Sequence, residues 1–154
     1  MGAVYFYHLT DTPLDVTLPM LLGKACGAGW RVLVRGDDPS LLERLDAVLW
    51  NGPVDDFLPH GLAGGPNDEH QPILLGSGLA SDGFDCVMSV GGAALTAVEA
   101  GLAQRCCVLF DGHDPAALEL ARGQWKTLTD AGCSAQYWAQ DQGSWIKKAE
   151  SSGA

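Results

Sequence analysis

Residues 31–50, RVLVRGDDPSLLERLDAVLW, decide the fold class. Arg31 to Arg35 is a short run with an apolar, branched centre, the pattern of a buried strand. Asp38-Pro39 follows at once. It places an acid at a helix N-cap and a proline at the first helical position, where a missing N–H costs nothing. From there Leu42, Leu45, Leu49 and Trp50 fall on one helical face. The spacing predicts a helix that runs to about Trp50.

The same alternation continues on either side. Val4 to Leu9 is rich in aromatic and branched residues, ends at Asp11-Thr12-Pro13, and reads as a strand. A helix is expected from about Asp15 to Ala28, with Leu14, Leu18, Leu21, Leu22, Ala25 and Cys26 on one face. Pro19 then belongs in the first turn, which makes Asp15 the N-cap, and Gly27 and Gly29 close the helix. Downstream, strands are expected at Ile73–Leu75, Phe84–Val90 and Arg105–Phe110, with a short helix over Ala93–Leu102. Asp114-Pro115 repeats the cap-plus-proline start, and its helix runs to about Ala131, ended by Gly132. Residues 61–71 and 76–83 read as glycine-rich loops, and Ala135–Trp138 as a further strand. Apolar strands alternating with amphipathic helices predict an α/β domain, its mostly parallel sheet covered on both faces. No internal repeat or linker divides the chain, so residues 1–139 are expected to form one domain and 140–154 a partly disordered tail.

Composition narrows the function. The chain has 154 residues, 47% of them hydrophobic, enough for one domain with a sizeable core. Nine Lys and Arg stand against nineteen Asp and Glu, a formal net charge of −10. Proteins that grip nucleic acid neutralise its phosphates with cations, so direct nucleic-acid binding by this surface is not expected. No apolar run reaches the length of a membrane span, and the start, MGAVYFYHL, lacks the basic lead and long apolar core of a signal peptide. Gly2 follows Met1, but Phe6 stands where myristoylation wants Ser or Thr. A cytoplasmic protein is expected. The five cysteines, Cys26, Cys86, Cys106, Cys107 and Cys133, are odd in number and lack C-x-x-C spacing, which reads as buried thiols.

A doubly wound sheet invites a search for nucleotide chemistry. No strand-to-helix turn carries G-x-G-x-x-G. Gly23-Lys24-Ala25 has the end of a phosphate loop without its first glycine or its hydroxyl residue. Gly91-Gly92 could offer N–H groups to an anion, but a tight turn accounts for the pair as well. Ser77 and Ser89 lack the glycines of a nucleophile elbow. Asp111-Gly112-His113-Asp114 resembles a metal loop, yet no second cluster completes a ligand set and Asp114 has a capping role. Asp55-Asp56 would face opposite ways on a strand. No catalytic residue, cofactor or metal is therefore assigned.

Two other features stand out. After Trp50 the chain breaks at Asn51-Gly52-Pro53 and closes with Phe57-Leu58-Pro59-His60-Gly61-Leu62-Ala63-Gly64. Two large aromatics and two prolines so close together exceed what a core needs, and they read as a binding surface. Further on, Arg122, Trp125 and Lys126 are spaced i, i+3 and i+4 and share one helical surface. Two readings stand there. The trio docks a carboxylate-bearing ligand, with Trp125 on something apolar; or Trp125 is core and the cations a solvated edge. Gly123, inside the same helix, either permits close backbone approach or is simply tolerated.

At this point the chain resembles the chi subunit family of bacterial DNA polymerase III holoenzyme. RVLVRGDDPSLLERLDAVLW followed by FLPHGLAGG is similar to the family's strand–helix–Leu-Trp segment and its Phe-x-Pro-His-x-Leu-Ala-Gly element. The strand VYFYHL and the helix LARGQWKTLTDAG extend the resemblance, while residues 65–110 match mainly in pattern. The resemblance implies a three-layer α/β/α sandwich, Rossmann-like but without a phosphate loop. It implies a non-catalytic accessory role in the clamp-loader assembly. One partner would be the C-terminal tail of single-stranded DNA-binding protein, which is acidic and ends in Pro-Phe. Its site carries over onto Arg122, Trp125 and Lys126, with Trp where Tyr is commoner. The second surface carries over onto Trp50, Phe57, Pro59 and His60. It would take the psi subunit or another clamp-loader protein, or a Rad3-like helicase. Alternatives are a helicase-associated repair adaptor and a nucleotide-binding Rossmann-like enzyme. A longer tail, with Lys147 and Lys148, departs from compact family members.

Overall fold

The computed structural model describes residues 3–10, 13–51, 60–63, 71–77, 83–141 and 144–151. In chain order the elements are β1 (Ala3–Leu9), α1 (Leu14–Gly27), β2 (Val32–Arg35), α2 (Pro39–Trp50), β3 (His60–Leu62), β4 (Ile73–Gly76), β5 (Cys86–Ser89), α3 (Ala97–Leu102), β6 (Arg105–Asp111), α4 (Pro115–Asp130), β7 (Ser134–Asp141) and β8 (Ser144–Ser151). The strands form one sheet in the order β3-β4-β2-β5-β6-β1-β7-β8. Every neighbouring pair is parallel except β7 and β8, which run antiparallel.

Alternation along the strands divides the core in two. Val32, Val34, Cys107 and Leu109 face α1 and α2, where they meet Leu18, Leu22, Leu42, Leu45 and Leu49. Val4, Phe6, Leu33, Val108 and Phe110 face α3 and α4, where they meet Ala100, Ala121 and Leu128. Strands covered on both faces are mainly apolar, and their few polar side chains, such as Arg35 and Ser89, are hydrogen-bonded. Cover on both faces is why β2, β4 and β5 are buried throughout. The chain is thus an α/β sandwich of three layers around a mostly parallel sheet.

Local capping sets the helix ends. Asp38 caps α2 by accepting from the Ser40 N–H at 2.9 Å, and Asp114 caps α4 by accepting from Ala116 at 3.0 Å. Both prolines follow their caps, as the Asp-Pro pairs predict. The start of α1 differs from expectation. Its N-cap is Pro13, whose carbonyl accepts from Val16 and Thr17 at 3.1 Å, so Asp15 lies within the first turn. Asp15 instead pairs with Arg44 of α2 at 3.0 Å. Pro19 therefore sits inside the helix, where its ring leaves the Asp15 carbonyl without a helical donor. The short third helix also starts later than expected. Thr96 and Glu99 close a capping box, each side chain bonding the other's backbone N–H, and this fixes Ala97 as the first helical residue.

Two segments read as loop or tail are strands. His60–Leu62 forms β3, a three-residue edge strand parallel to β4. Ser144–Ser151 forms β8, which doubles back on β7 and ends the sheet on the other side. The 140–154 segment shows little alternation of its own. Its strand state comes from pairing, which is how β structure depends on context. Lys147 and Lys148 stand exposed on this edge strand, with Lys147 3.4 Å from Glu150. Charges at that position discourage pairing with other chains. No helix among the described residues is long and apolar enough to cross a membrane.

Candidate functional site

The last helix presents the first candidate surface. Trp125 is half-buried and packs into the core beneath α4. Its ring meets Phe6 edge-on, with centroids 5.3 Å apart, and Tyr137 at 6.1 Å. Arg122 and Lys126 are exposed. The indole is anchored in the core and the cations stand exposed beside it, as the second of the two sequence-based readings expects. A Cβ on Gly123 would meet nothing within 4 Å, so close approach does not explain that glycine.

The structure adds two residues to this surface. Tyr137 of β7 and His8 of β1 lie together, with the Tyr137 hydroxyl 2.9 Å from His8 Nδ1. The register pairs Phe6 with Tyr137, which puts both beside Trp125. Burial lowers the His8 pKa below its usual value, and the charges of His113 and Arg122 lower it further. Burial raises the Tyr137 pKa, and the Arg122 guanidinium partly offsets that. The charge of Arg122 is thus felt by both rings. The result is one patch in which an exposed guanidinium borders a floor of aromatic rings. Chemically, such a patch offers a cation to a carboxylate and ring faces to an apolar group.

The second candidate surface is at the C-terminal end of α2. Trp50 is 56% exposed, while His60 is 4% exposed. Their ring centroids are 4.7 Å apart. His60 Nε2 lies 3.3 Å from the Asp46 carbonyl and 3.2 Å from its carboxylate. The imidazole is anchored to α2 and supports the exposed indole. Phe57 and Pro59 lie outside the described residues, as do Asp55 and Asp56.

A cleft of about 760 Å³ lies beyond the carboxyl ends of β1 and β6, where α1 and α4 leave the sheet on opposite faces. Nucleotides bind in such crevices in doubly wound folds. Here Gly91 and Gly92 have φ of 62° and 84° and form a tight turn closed by a bond from the Ala93 N–H to the Val90 carbonyl at 3.3 Å. The cleft is lined by Asp15, Asp111 and Asp114, and its Arg44 is paired with Asp15. That balance disfavours a phosphate. Asp111 accepts from the His113 N–H at 2.9 Å, so the Asp-Gly-His-Asp stretch is a closed turn. Among the described residues no group of His, Cys, Asp or Glu could hold a metal ion. Ser89 is buried, and its hydroxyl donates to the Ala93 carbonyl.

Comparison with known proteins follows the same line. No curated protein matches the chain. Residues 1–136 match the family model described as DNA polymerase III chi subunit, HolC, a span that takes in both candidate surfaces except Tyr137 and stops before β8. With most of its length matched, the chain belongs to the DNA polymerase III chi subunit family.

Proposed function

We propose that this chain, an accessory subunit of DNA polymerase III by its family, acts as a non-catalytic adaptor between two protein partners. The first is the acidic C-terminal tail of single-stranded DNA-binding protein. The observation that carries this reading is the pairing of exposed Arg122 and Lys126 with the anchored rings of Trp125 and Tyr137. The cations meet the tail's carboxylates, and its terminal Phe meets the rings. On a chain of net charge −10 this gives a route to single-stranded DNA through a protein intermediary. The second partner, a psi subunit or another clamp-loader protein, occupies the surface around Trp50.

Titration with a peptide copying the tail tests the first assignment. Arg122→Glu or Lys126→Glu should weaken binding by at least about tenfold and leave the melting temperature unchanged. Binding should also weaken as salt rises, because the contacts are exposed. Wild-type affinity in both charge-reversed variants would remove the tail from this surface.

A further inference from the structure

Independently of that reading, a second cavity lies on the opposite face of the sheet, beside α1. It has a volume of about 430 Å³, within the range of small-ligand pockets. Tyr7, Trp30, Trp138 and Trp145 line it, together with Lys24 and Arg105. Of the thirteen described residues that line it, four are aromatic, two are cations and none is an acid. On a chain with twice as many acids as bases, that is a local reversal of charge.

Topology creates the cavity. Helix α1 covers the centre of the sheet, but among the described residues no helix follows on this face over β1, β7 and β8. Register places Tyr7 beside Trp138, and Gln140 opposite Trp145. Trp145 then meets Tyr7 edge-on, with centroids 5.2 Å apart. The Arg105 guanidinium stacks on Tyr5 at 4.2 Å and lies 5.3 Å from the Trp30 centroid. Among the described residues, no carboxylate lies within 4.0 Å of a nitrogen of Arg105 or Lys24. The Arg105 charge nonetheless reaches inward and acts on the Tyr7 hydroxyl and the Cys107 thiol in the cavity wall. A partly buried guanidinium held by rings, with no carboxylate beside it among the described residues, is poised for an anion.

We propose that this cavity binds a small planar aromatic anion, its ring among Tyr7, Trp30, Trp138 and Trp145 and its anionic group on Arg105 and Lys24. The indoles supply flat apolar area and the two cations fix the orientation. An aryl carboxylate and a nucleoside monophosphate share this chemistry. The wall made by Trp138 and Trp145 lies beyond the residues that match the family.

Calorimetry on the full chain tests the proposal with indole-3-acetate and adenosine 5′-monophosphate, each beside its neutral counterpart, indole-3-acetamide or adenosine. At least one anion should bind with one-to-one saturation and quench tryptophan fluorescence. It should bind at least about tenfold tighter than its neutral counterpart. Arg105→Gln should remove that preference, and Arg122→Glu should leave it intact. Which anion binds identifies the source of the ligand. No saturation by either anion up to about 1 mM, or equal affinity for charged and neutral forms, would overturn the proposal. If Arg105→Gln does not fold, Lys24→Gln and the neutral-ligand comparison on the wild-type chain decide it.

Discussion

The imidazole of His60 lies beneath the indole of Trp50, 4.7 Å from ring to ring, and the two differ sharply in exposure. His60 is tied to Asp46 and to the core, while Trp50 faces solvent. Their substitutions should therefore separate. Trp50→Ala should cost far less than the roughly 3–5 kcal/mol of a buried Trp→Ala change, yet abolish capture of the second partner from cell extract. His60→Ala should cost about 0.5–3 kcal/mol, because it removes a buried ring together with its bond to half-buried Asp46. Urea unfolding beside a pull-down checks both. A large stability loss in Trp50→Ala would make the indole structural.

An ion pair between Arg35 and Glu99 ties β2 to α3. Both Glu99 oxygens bond Arg35, at 2.8 and 2.6 Å, and Arg35 also donates to the Ala94 carbonyl at 3.1 Å. The bonds to Glu99 raise the Arg35 pKa. The side chains are 10% and 19% exposed, and Glu99 also completes the capping box of α3. Removing one partner would leave a nearly buried charge. Glu99→Ala should cost about 3–5 kcal/mol, and Arg35→Leu with Glu99→Ala should recover part of it. Chemical denaturation of the single and double variants measures both. A cost under about 1 kcal/mol for Glu99→Ala would show that solvent screens the pair.

His8 makes stability depend on pH. Its pKa is lowered in the folded protein, chiefly by burial. The unfolded chain therefore binds a proton more readily, and stability rises with pH between the folded and unfolded values. The contribution is complete above the ordinary histidine value of about 6.5 and is lost as pH falls through the lower folded value. His8→Gln should flatten the melting temperature over that window. NMR titration should also show the His8 pKa rising when the acidic tail peptide binds beside Arg122.

Thiol reactivity should follow burial. Cys86, Cys106 and Cys107 are at most 2% exposed, and burial pushes the Cys106 pKa up to about 12. Cys26 and Cys133 are partly exposed. A maleimide at neutral pH should label no more than these two in the native protein, and all five cysteines after unfolding, as read by mass spectrometry. Rapid labelling of Cys106 in the native state would contradict its placement.

Gly112 shows how a tertiary contact explains a residue that looked chemical. A Cβ there would strike the His8 ring and come within 2.8 Å of the Leu9 carbonyl. The glycine in Asp-Gly-His-Asp is thus required by packing over β1. No local pattern announces this, because His8 and Gly112 meet only when β1 and β6 pair.

What the chain determined by itself is local. Asp38-Pro39 and Asp114-Pro115 set two helix starts, because a cap and its proline act within one turn. Apolar spacing identified the buried strands, the core face of α1 and that of α2 except Trp50, which is exposed, and the i, i+3, i+4 spacing set Arg122, Trp125 and Lys126 side by side on α4. Tertiary structure decided the rest. Pro19 is tolerated inside α1 because packing on the sheet outweighs one lost bond. β8 exists because β7 offers it an edge. Tyr137 joins His8 across 129 residues of chain, and Trp145 reaches Tyr7 the same way. Contacts of that separation depend on strand order and register, which arise from the pairing of distant segments and leave no periodicity in either one.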